Sequence, residues 1–400
     1  MTTTFPRSQL LQRLSVRIDR LWRRVPLMDR WLTAELAGPL LFGVAAFTTV
    51  SLSVGVVFEL VRKVAEAGLP LLAAAQVLAL SLPGFLVLSF PMATLMATLL
   101  AYSRLSSTSE LTALRSIGVA TWRMVAPGLV VALLMSLLTF VFNDAIVPGS
   151  NLLAANTLDS ALGRAISSQR GQNVVYSRFG QLRSRVPGQD AGEGLTQLFY
   201  AKEFKDGQME GITLLDFSLE SQQQILTAER AIWNDPKAMW EFRNGRIVTI
   251  DNQTSSTTSA RFDNYFYPFT KAPLERAQLP SDATKMTVLQ AIRAEQILAQ
   301  AGDQKEARRL RVRIQEKFAF PAICLVFGLI GSSLGVRPNA RTSRSQGFGI
   351  SVLLIFGYYL MSFIFSSVGV QGTLPPFFAA WLPVMIGLAG GLYLLRQASR

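Results

Sequence analysis

Two neighbouring cations and one carboxylate are the side chains of this sequence whose surroundings point most directly to chemistry. Arg62 and Lys63 follow closely on a long uncharged run, and both residue types bind phosphate well. Two readings fit them: they snorkel to phospholipid headgroups, or they meet the anionic groups of a large lipid leaving the bilayer. Glu59, one helical turn before Lys63, is spaced to pair with it rather than to hold a ligand. The carboxylate is Glu110, within Arg-Leu-Ser-Ser-Thr-Ser-Glu-Leu-Thr-Ala-Leu-Arg-Ser-Ile-Gly at 104–118, a polar interruption between two long apolar runs. Ser107 and Glu110 have capping-box spacing, so a short helix is expected over 107–118. Leu111, Leu114 and Ile117 form an apolar stripe, and Gly118 is placed to end the helix in the left-handed conformation. Such a helix either rests on lipid headgroups or serves as a handle for a cytoplasmic partner.

Composition removes most enzymatic alternatives. The 400 residues contain no histidine and one cysteine, Cys324, so Ser-His-Asp and Cys-His catalysis, disulfide frameworks and Cys/His metal sites are unavailable. No Gly-Lys pair exists for a P-loop, so any ATP and magnesium belong on another subunit, and no cofactor is expected on this chain. Half of the residues are hydrophobic, which indicates a polytopic membrane protein. The net charge of +13 is unevenly placed: residues 148–312 carry a balance of only +2 and the rest of the chain +11. Positive charge beside apolar runs belongs to cytoplasmic loops, which argues against a nucleic-acid partner.

The apolar runs give the elements that must position these residues. Residues 1–30 form a basic cytoplasmic leader with Arg7, Arg13, Arg17, Arg20, Arg23, Arg24 and Arg30 against Asp19 and Asp29. Pro39–Phe58 is long enough for a first, uncleaved span, preceded by an interfacial stretch at Trp31, Glu35 and Pro39. After an outer turn at Glu59, Arg62, Lys63 and Glu66, Ala67–Ser103 is uncharged; charge parity makes it one span, with Pro83-Gly84 and Pro91 as bending points. A third span covers Met124–Phe142 and leaves at Asn143-Asp144. Phe318–Val336 is the fourth, and Ser345–Leu395 holds two more joined at Gly369–Pro376. The leader, the 102–123 loop, the loop with Arg337, Arg341 and Arg344, and the tail with Arg396 and Arg400 hold fifteen basic residues. Both termini are therefore expected in the cytoplasm and the large domain outside. No buried series of acids offers an ion relay, which argues against an ion-driven transporter.

Between the two halves, short strand-like runs occur at Asn173–Arg178, Gln197–Lys202, Gly211–Phe217, Gln224–Trp233 and Met239–Ile250. Asp206-Gly207 and Asn244-Gly245 are hairpin-type turn pairs, the second sitting inside an apparent strand or forming a tight turn between two, and Asn252–Ser259 reads as a polar loop. The expectation is a β-rich domain over 148–285, as a sandwich, jelly roll or open barrel. A helix over Thr287–Lys317 leads back to the bilayer. The resulting division is 1–30, 31–147 with three spans, 148–285, a connecting helix at 286–317, and 318–400 with three spans. Glycines crowd the last three: Gly328, Gly331, Gly335, Gly347, Gly349, Gly357, Gly387 and Gly391. They fit packing within the chain, a contact between subunits, or a moving gate.

Taken together, residues 28–395 resemble the lipopolysaccharide-export permeases of the LptF/LptG (YjgP/YjgQ) type. The resemblance is carried by the 104–118 segment, by Lys-Phe-Ala-Phe-Pro-Ala at 317–322, by Gly-Leu-Ile-Gly-Ser-Ser-Leu-Gly-Val-Arg-Pro at 328–338, by Tyr358-Tyr359 and by Pro-Pro-Phe-Phe-Ala-Ala-Trp-Leu-Pro at 375–383. Ala228 to Trp233, Trp240 and Asn244-Gly245-Arg246 add to it. It implies six inner-membrane helices, three and three, around a periplasmic β-jellyroll-like domain. It also implies a dimeric cytoplasmic ATPase, a second permease subunit (a homologue or a second copy) and a periplasmic bridge protein of similar β fold. The substrate would be a membrane glycolipid. The helix at 107–118 would be the coupling helix, with Ser107, Glu110, Leu111, Leu114, Arg115 and Gly118 as its residues and Glu110 facing a base on the ATPase. Arg62 and Lys63 would stand near the lipid phosphates. The first and fifth spans would form a lateral gate, with Gly328, Gly331, Gly335, Gly357, Tyr358 and Tyr359 as packing or gate residues. Two rivals remain: a lipoprotein-release or efflux permease, whose external domain usually follows the first of four spans, and a membrane-anchored envelope scaffold that moves nothing.

Overall fold

A computed structural model of the chain describes residues 26–162, 172–183, 190–205, 207–219, 222–251, 256–280, 282–337 and 344–399. The leader arginines before Arg30, Asp19, Asp206, residues 252–255, Pro338, Arg341 and Arg400 lie outside the described residues. Among the described residues, six helices are long and apolar enough to cross a membrane. Helix α1 (Leu27–Ala67) runs through Pro39 and widens into a π-helical turn at Ser53–Val57. The stretch at Trp31, Glu35 and Pro39, expected to lie along the interface before the first span, is helical and continuous with it. Leu32 and Leu36 are instead buried in the bundle core, which holds the first turns of α1 against its neighbours.

Helix α2 (Leu71–Ser107) is unbroken through Pro83 and Pro91, in keeping with a single span. At 1.5 Å per residue its 37 residues reach about 55 Å, well beyond a hydrocarbon core of about 30 Å. After the short α3 (Glu110–Ser116), α4 (Thr121–Ala161) also outruns its expected end. Asn143-Asp144 does not terminate it; the helix takes a π turn at Phe142–Ile146, and the Asp144 carboxylate accepts a hydrogen bond from the Val288 N–H (2.7 Å). Past that turn Ala154 is buried in a cluster with Leu60, Leu69 and Val77. The boundary expected at 147/148 therefore falls inside a helix, and the first strand starts only at Gln172.

Among the described residues six strands follow: β1 (Gln172–Arg183), β2 (Asp190–Lys205), β3 (Gln208–Leu219), β4 (Gln222–Asn234), β5 (Met239–Asp251) and β6 (Ser256–Tyr267). They form one antiparallel meander in which neighbours are consecutive, apart from a single β1–β3 pairing at Arg183 and Leu219. Among the described residues this order contains no Greek-key crossing of the kind jelly rolls are built from. Strand β6 overlaps the expected polar loop at Asn252–Ser259. It is an edge strand and most of it is exposed, so Ser and Thr side chains face water while the backbone pairs with β5. Lys205 pairs with Gln208, and Gly207 just before Gln208 has φ 80°; the other half of the expected Asp206-Gly207 turn lies outside the described residues. Asn244-Gly245, by contrast, lies inside β5. A Cβ on Gly245 would collide with the Thr227 carbonyl and the Phe262 ring, so glycine serves a close approach there and not a turn.

The sheet has a core of Phe199, Ile212, Leu214, Leu226, Trp240 and Phe242, covered by Phe269, α5 (Ala272–Ala277) and α6 (Val288–Gln300). Phe269 stacks on Phe199 at 5.9 Å and meets Tyr176 edge-on at 5.8 Å. The end of β6 curls over to the middle strands: the Tyr267 hydroxyl donates to Asp216 on β3, and Gln197 on β2 donates to both (2.9 and 3.1 Å). Burial alone would raise the Asp216 carboxyl, but hydrogen bonds from Ser218, Tyr267 and Gln197 hold it below the usual carboxylate range. Burial, followed by the neighbouring Asp216, pushes the Tyr267 phenol up.

The expected single connecting helix is two. Thr287 and Gln290 cap the start of α6 with a complete capping box. The chain then bends at Gly302 (φ 80°) and begins α7 (Gln304–Gly335), which passes through Lys317 into the membrane-length segment without interruption. The bend is seated on the sheet: the Phe179 N–H of β1 donates to the Ala301 carbonyl (2.7 Å), and a Cβ on Gly302 would lie 2.6 Å from the Phe179 carbonyl oxygen. Arg311 of α7 pairs with Glu295 of α6 at 2.5 Å. Helices α8 (Arg344–Gln371) and α9 (Pro376–Ser399) complete the bundle.

Candidate functional site

Helix α3 differs from the expected element in where it starts and in which way its stripe faces. Ser107 is the last residue of α2, its hydroxyl donating to the Arg104 carbonyl at 2.7 Å. Ser109 adopts φ 63°, and Glu110 is the first residue of α3. The left-handed residue between Ser107 and Glu110 breaks their capping-box geometry, and Glu110 instead accepts a hydrogen bond from the Thr108 hydroxyl (2.7 Å). The far end is as expected: Gly118 has φ 90°, and the N–H groups of Gly118 and Val119 donate to the Arg115 and Leu114 carbonyls (2.9 and 3.1 Å).

The apolar stripe divides. Leu111 is 1% exposed and Leu114 packs with it in a core shared with Leu32, Leu36, Leu105 and Met124, whereas Ile117 is 76% exposed. A seven-residue helix has fewer than two turns, and Ile117 already lies in its cap. The outward surface is therefore Thr112, Ala113, Ser116 and Ile117, with Glu110 half-buried at its start and Trp122 exposed beyond it. Arg115 turns inward. Its Nη2 donates to the carbonyls of Val336 (2.8 Å) and Ala398 (3.2 Å), at the ends of α7 and α9. Burial lowers its affinity for the proton. Ion pairs surround this end of the bundle: Arg104 of α2 with Glu35 of α1, and Arg123 of α4 with Asp29 of α1 (2.7 Å). Below them the buried Tyr102 hydroxyl donates to the Met124 carbonyl (2.8 Å) and accepts from the Gly128 N–H (3.2 Å), joining α2 to α4.

Arg62 and Lys63 stand at the opposite end of α1, about 40 Å from Glu35 at helical rise. Lys63 pairs with Glu59 at 2.5 Å, as its spacing indicates, while Arg62 is exposed. The two groups of candidate residues are thus separated by the length of the bundle. Gly328, Gly331 and Gly335 line the face of α7 against α2 and α4: a Cβ at Gly328 would strike Ala132, one at Gly331 Thr98, and one at Gly335 would lie 2.6 Å from the Tyr102 Cβ. Gly387 and Gly391 serve α9 in the same way against Val326 and Leu329 of α7. Gly357 is different, with nothing within 4 Å of its would-be Cβ. Next to it Tyr358 and Tyr359 pack edge-on against Phe327 of α7 (5.1 and 6.4 Å). Phe356 and Phe363 leave the outer face of α8 apolar and exposed, as do Leu41, Phe42 and Val54 on α1.

The inward course of Arg115, the Tyr102 junction and the Tyr267–Asp216–Gln197 group are absent from the sequence reading. Each joins residues far apart in the chain, and no local spacing signals them. A search of curated proteins found no match. The family model described as "Lipopolysaccharide export system permease LptF/LptG" matches residues 30–397, from the first turn of α1 to the last turn of α9. With that match spanning both helical halves and the inserted sheet, the chain belongs to the lipopolysaccharide export system permease LptF/LptG family.

Proposed function

We propose that this chain is one permease subunit of an ATP-driven exporter that draws lipopolysaccharide, or a related anionic glycolipid, out of the inner membrane. The observation that carries the reading is the family match over 30–397, on a chain with three membrane-length helices either side of a β domain. Both termini and α3 face the cytoplasm and the sheet faces the periplasm; the concentration of Lys and Arg beside the spans supports this orientation. A cytoplasmic ATPase dimer supplies ATP and magnesium, and a second permease, homologue or copy, completes the cavity. The exposed apolar faces of α1 and α8 are suited to lipid or to that second subunit. Arg62 and Lys63 meet the lipid phosphates.

Withdrawing acyl chains costs about 0.8 kcal/mol per CH₂ exposed, so several chains require both an energy source and an apolar acceptor. The β domain, counterpart of the family's jellyroll, is that acceptor and passes the lipid to a periplasmic bridge protein of similar fold. Force enters through α3, where Glu110 faces a basic group of the ATPase. Removing the carboxylate in Glu110→Ala lowers ATPase association or lipid release while the helical bundle melts as before. Undiminished ATPase binding and lipid release by this variant in proteoliposomes would rule out the coupling role.

A further inference from the structure

Three helix ends converge on one guanidinium. Arg115 lies in the last turn of α3, and its Nη2 bridges the Val336 carbonyl, at the cap of α7, and the Ala398 carbonyl, next to the end of α9. Terminal carbonyls lack intrahelical donors and carry the negative end of the helix dipole, so a cation there satisfies both at once. Leu111 belongs to the buried cluster that also takes in Val336 and Leu395, together with residues of α1, α2 and α4, so the direct tie of α3 to α7 and α9 is the Arg115 guanidinium. A parallel tie lies beside it: the Ser106 hydroxyl donates to the Arg337 carbonyl (2.9 Å), and Arg337 donates to Gln397 (2.7 Å).

What α7 carries gives this clasp its meaning. The helix is continuous from Gln304 to Gly335, about 48 Å at helical rise, and its upper corner is hydrogen-bonded to the edge strand β1 through Ala301 and Phe179. Displacement of α3 therefore has an uninterrupted route to the sheet. The ion pairs Arg104–Glu35 and Arg123–Asp29 join α1 to α2 and α4 but do not include α3.

We propose that Arg115 is the positioning residue that makes α3, α7 and α9 one moving body, so that force applied to α3 is delivered along α7 to the β domain. The inference rests on the reading above that α3 receives that force. Cys324 is buried, so cysteines introduced at Ile117 and Tyr393, both well exposed, can be spin-labelled selectively in the complete permease–ATPase assembly in nanodiscs.

With Arg115 present, the mobility of the Ile117 label changes with ATP while the 117–393 separation stays fixed. In Arg115→Met, which keeps an unbranched stem but removes cation and donors, ATPase association persists and hydrolysis stays within about twofold. The 117–393 separation then broadens with ATP, and lipid release falls by about tenfold or more. Arg115→Lys, with one ammonium in place of the fork, broadens the separation less and decides the case should the Met variant not fold. An unchanged separation in the substituted assembly overturns the inference, whether or not transport falls. Loss of ATPase association also overturns it, because Arg115 would then be a partner contact. An Ile117 label indifferent to ATP in the parent assembly counts against the reading of α3 itself, which separates the two failures.

Discussion

Gly331→Ala puts the packing of the two helical halves to a quantitative test. The new Cβ meets the Thr98 hydroxyl, which a rotamer change can relieve, and also the Leu95 carbonyl at 2.9 Å and the Leu99 amide nitrogen at 3.2 Å, which it cannot. Reaching ordinary contact with Leu95 requires α7 to retreat from α2 by about 0.5 Å, a gap that forfeits roughly a quarter of the dispersion energy at neighbouring contacts. Those neighbours include Gly335, whose own would-be Cβ is 2.6 Å from Tyr102, and Gly328 against Ala132. Overpacking of this kind costs about 1–3 kcal/mol, and the better helix propensity of alanine offsets about 1 kcal/mol of it. A net loss of about 1 kcal/mol lowers the melting temperature by about 2–4 °C on the scale of domains of 150–250 residues. The single cysteine supplies the assay. Cys324 is buried within α7 itself, so a thiol-activated dye reports exposure of that helix on heating. Gly357→Ala is the matched control, since its methyl meets nothing within 4 Å; it gains helix propensity and melts at or above the parent temperature. Equal shifts in the two variants, or a Gly331→Ala melt no lower than the parent, would refute the close-packing account of α7 on α2.

Two further predictions concern α3 and the sheet. Leu111→Ala lowers bundle stability by about 2–5 kcal/mol because Leu111 is a core residue, whereas Ile117→Ala, at an exposed position, changes it by less than about 0.5 kcal/mol; thermal melts of the two variants separate them. The depressed Asp216 carboxyl gives the sheet stability that is present above the unfolded carboxylate value of about 3.9 and lost as pH falls through the lower folded value. Asp216→Asn therefore lowers stability at neutral pH and flattens the acid limb, measured by tryptophan fluorescence from Trp233 and Trp240; an acid limb unchanged by the substitution would remove Asp216 from the account.

The spans were readable because an apolar run has one stable environment and needs no distant partner to define it. Charge parity was enough to make Ala67–Ser103 a single helix, and alternating strand composition placed five of the six strands. Where side chains met solvent on an edge, the signal vanished. The Ser and Thr residues of β6 look like a loop because only backbone pairing with β5, a long-range matter, makes them a strand. The family's motifs located α3 without giving its orientation, since burial of Leu111 and exposure of Ile117 depend on what surrounds a helix of seven residues.

Composition by itself determined that this is a histidine-free, single-cysteine membrane protein with no P-loop of its own, and charge placement determined the expected topology. Tertiary structure alone decided where the long helices end. Asp144, a natural stop in sequence, is satisfied by the amide of Val288, so α4 continues. It alone turned Arg115 inward to two carbonyls more than 200 positions away and curled β6 onto Asp216. The physical reason is common to all three: a polar group reads as solvent-facing in sequence, and only a partner supplied from elsewhere in the fold allows it to be drawn inside.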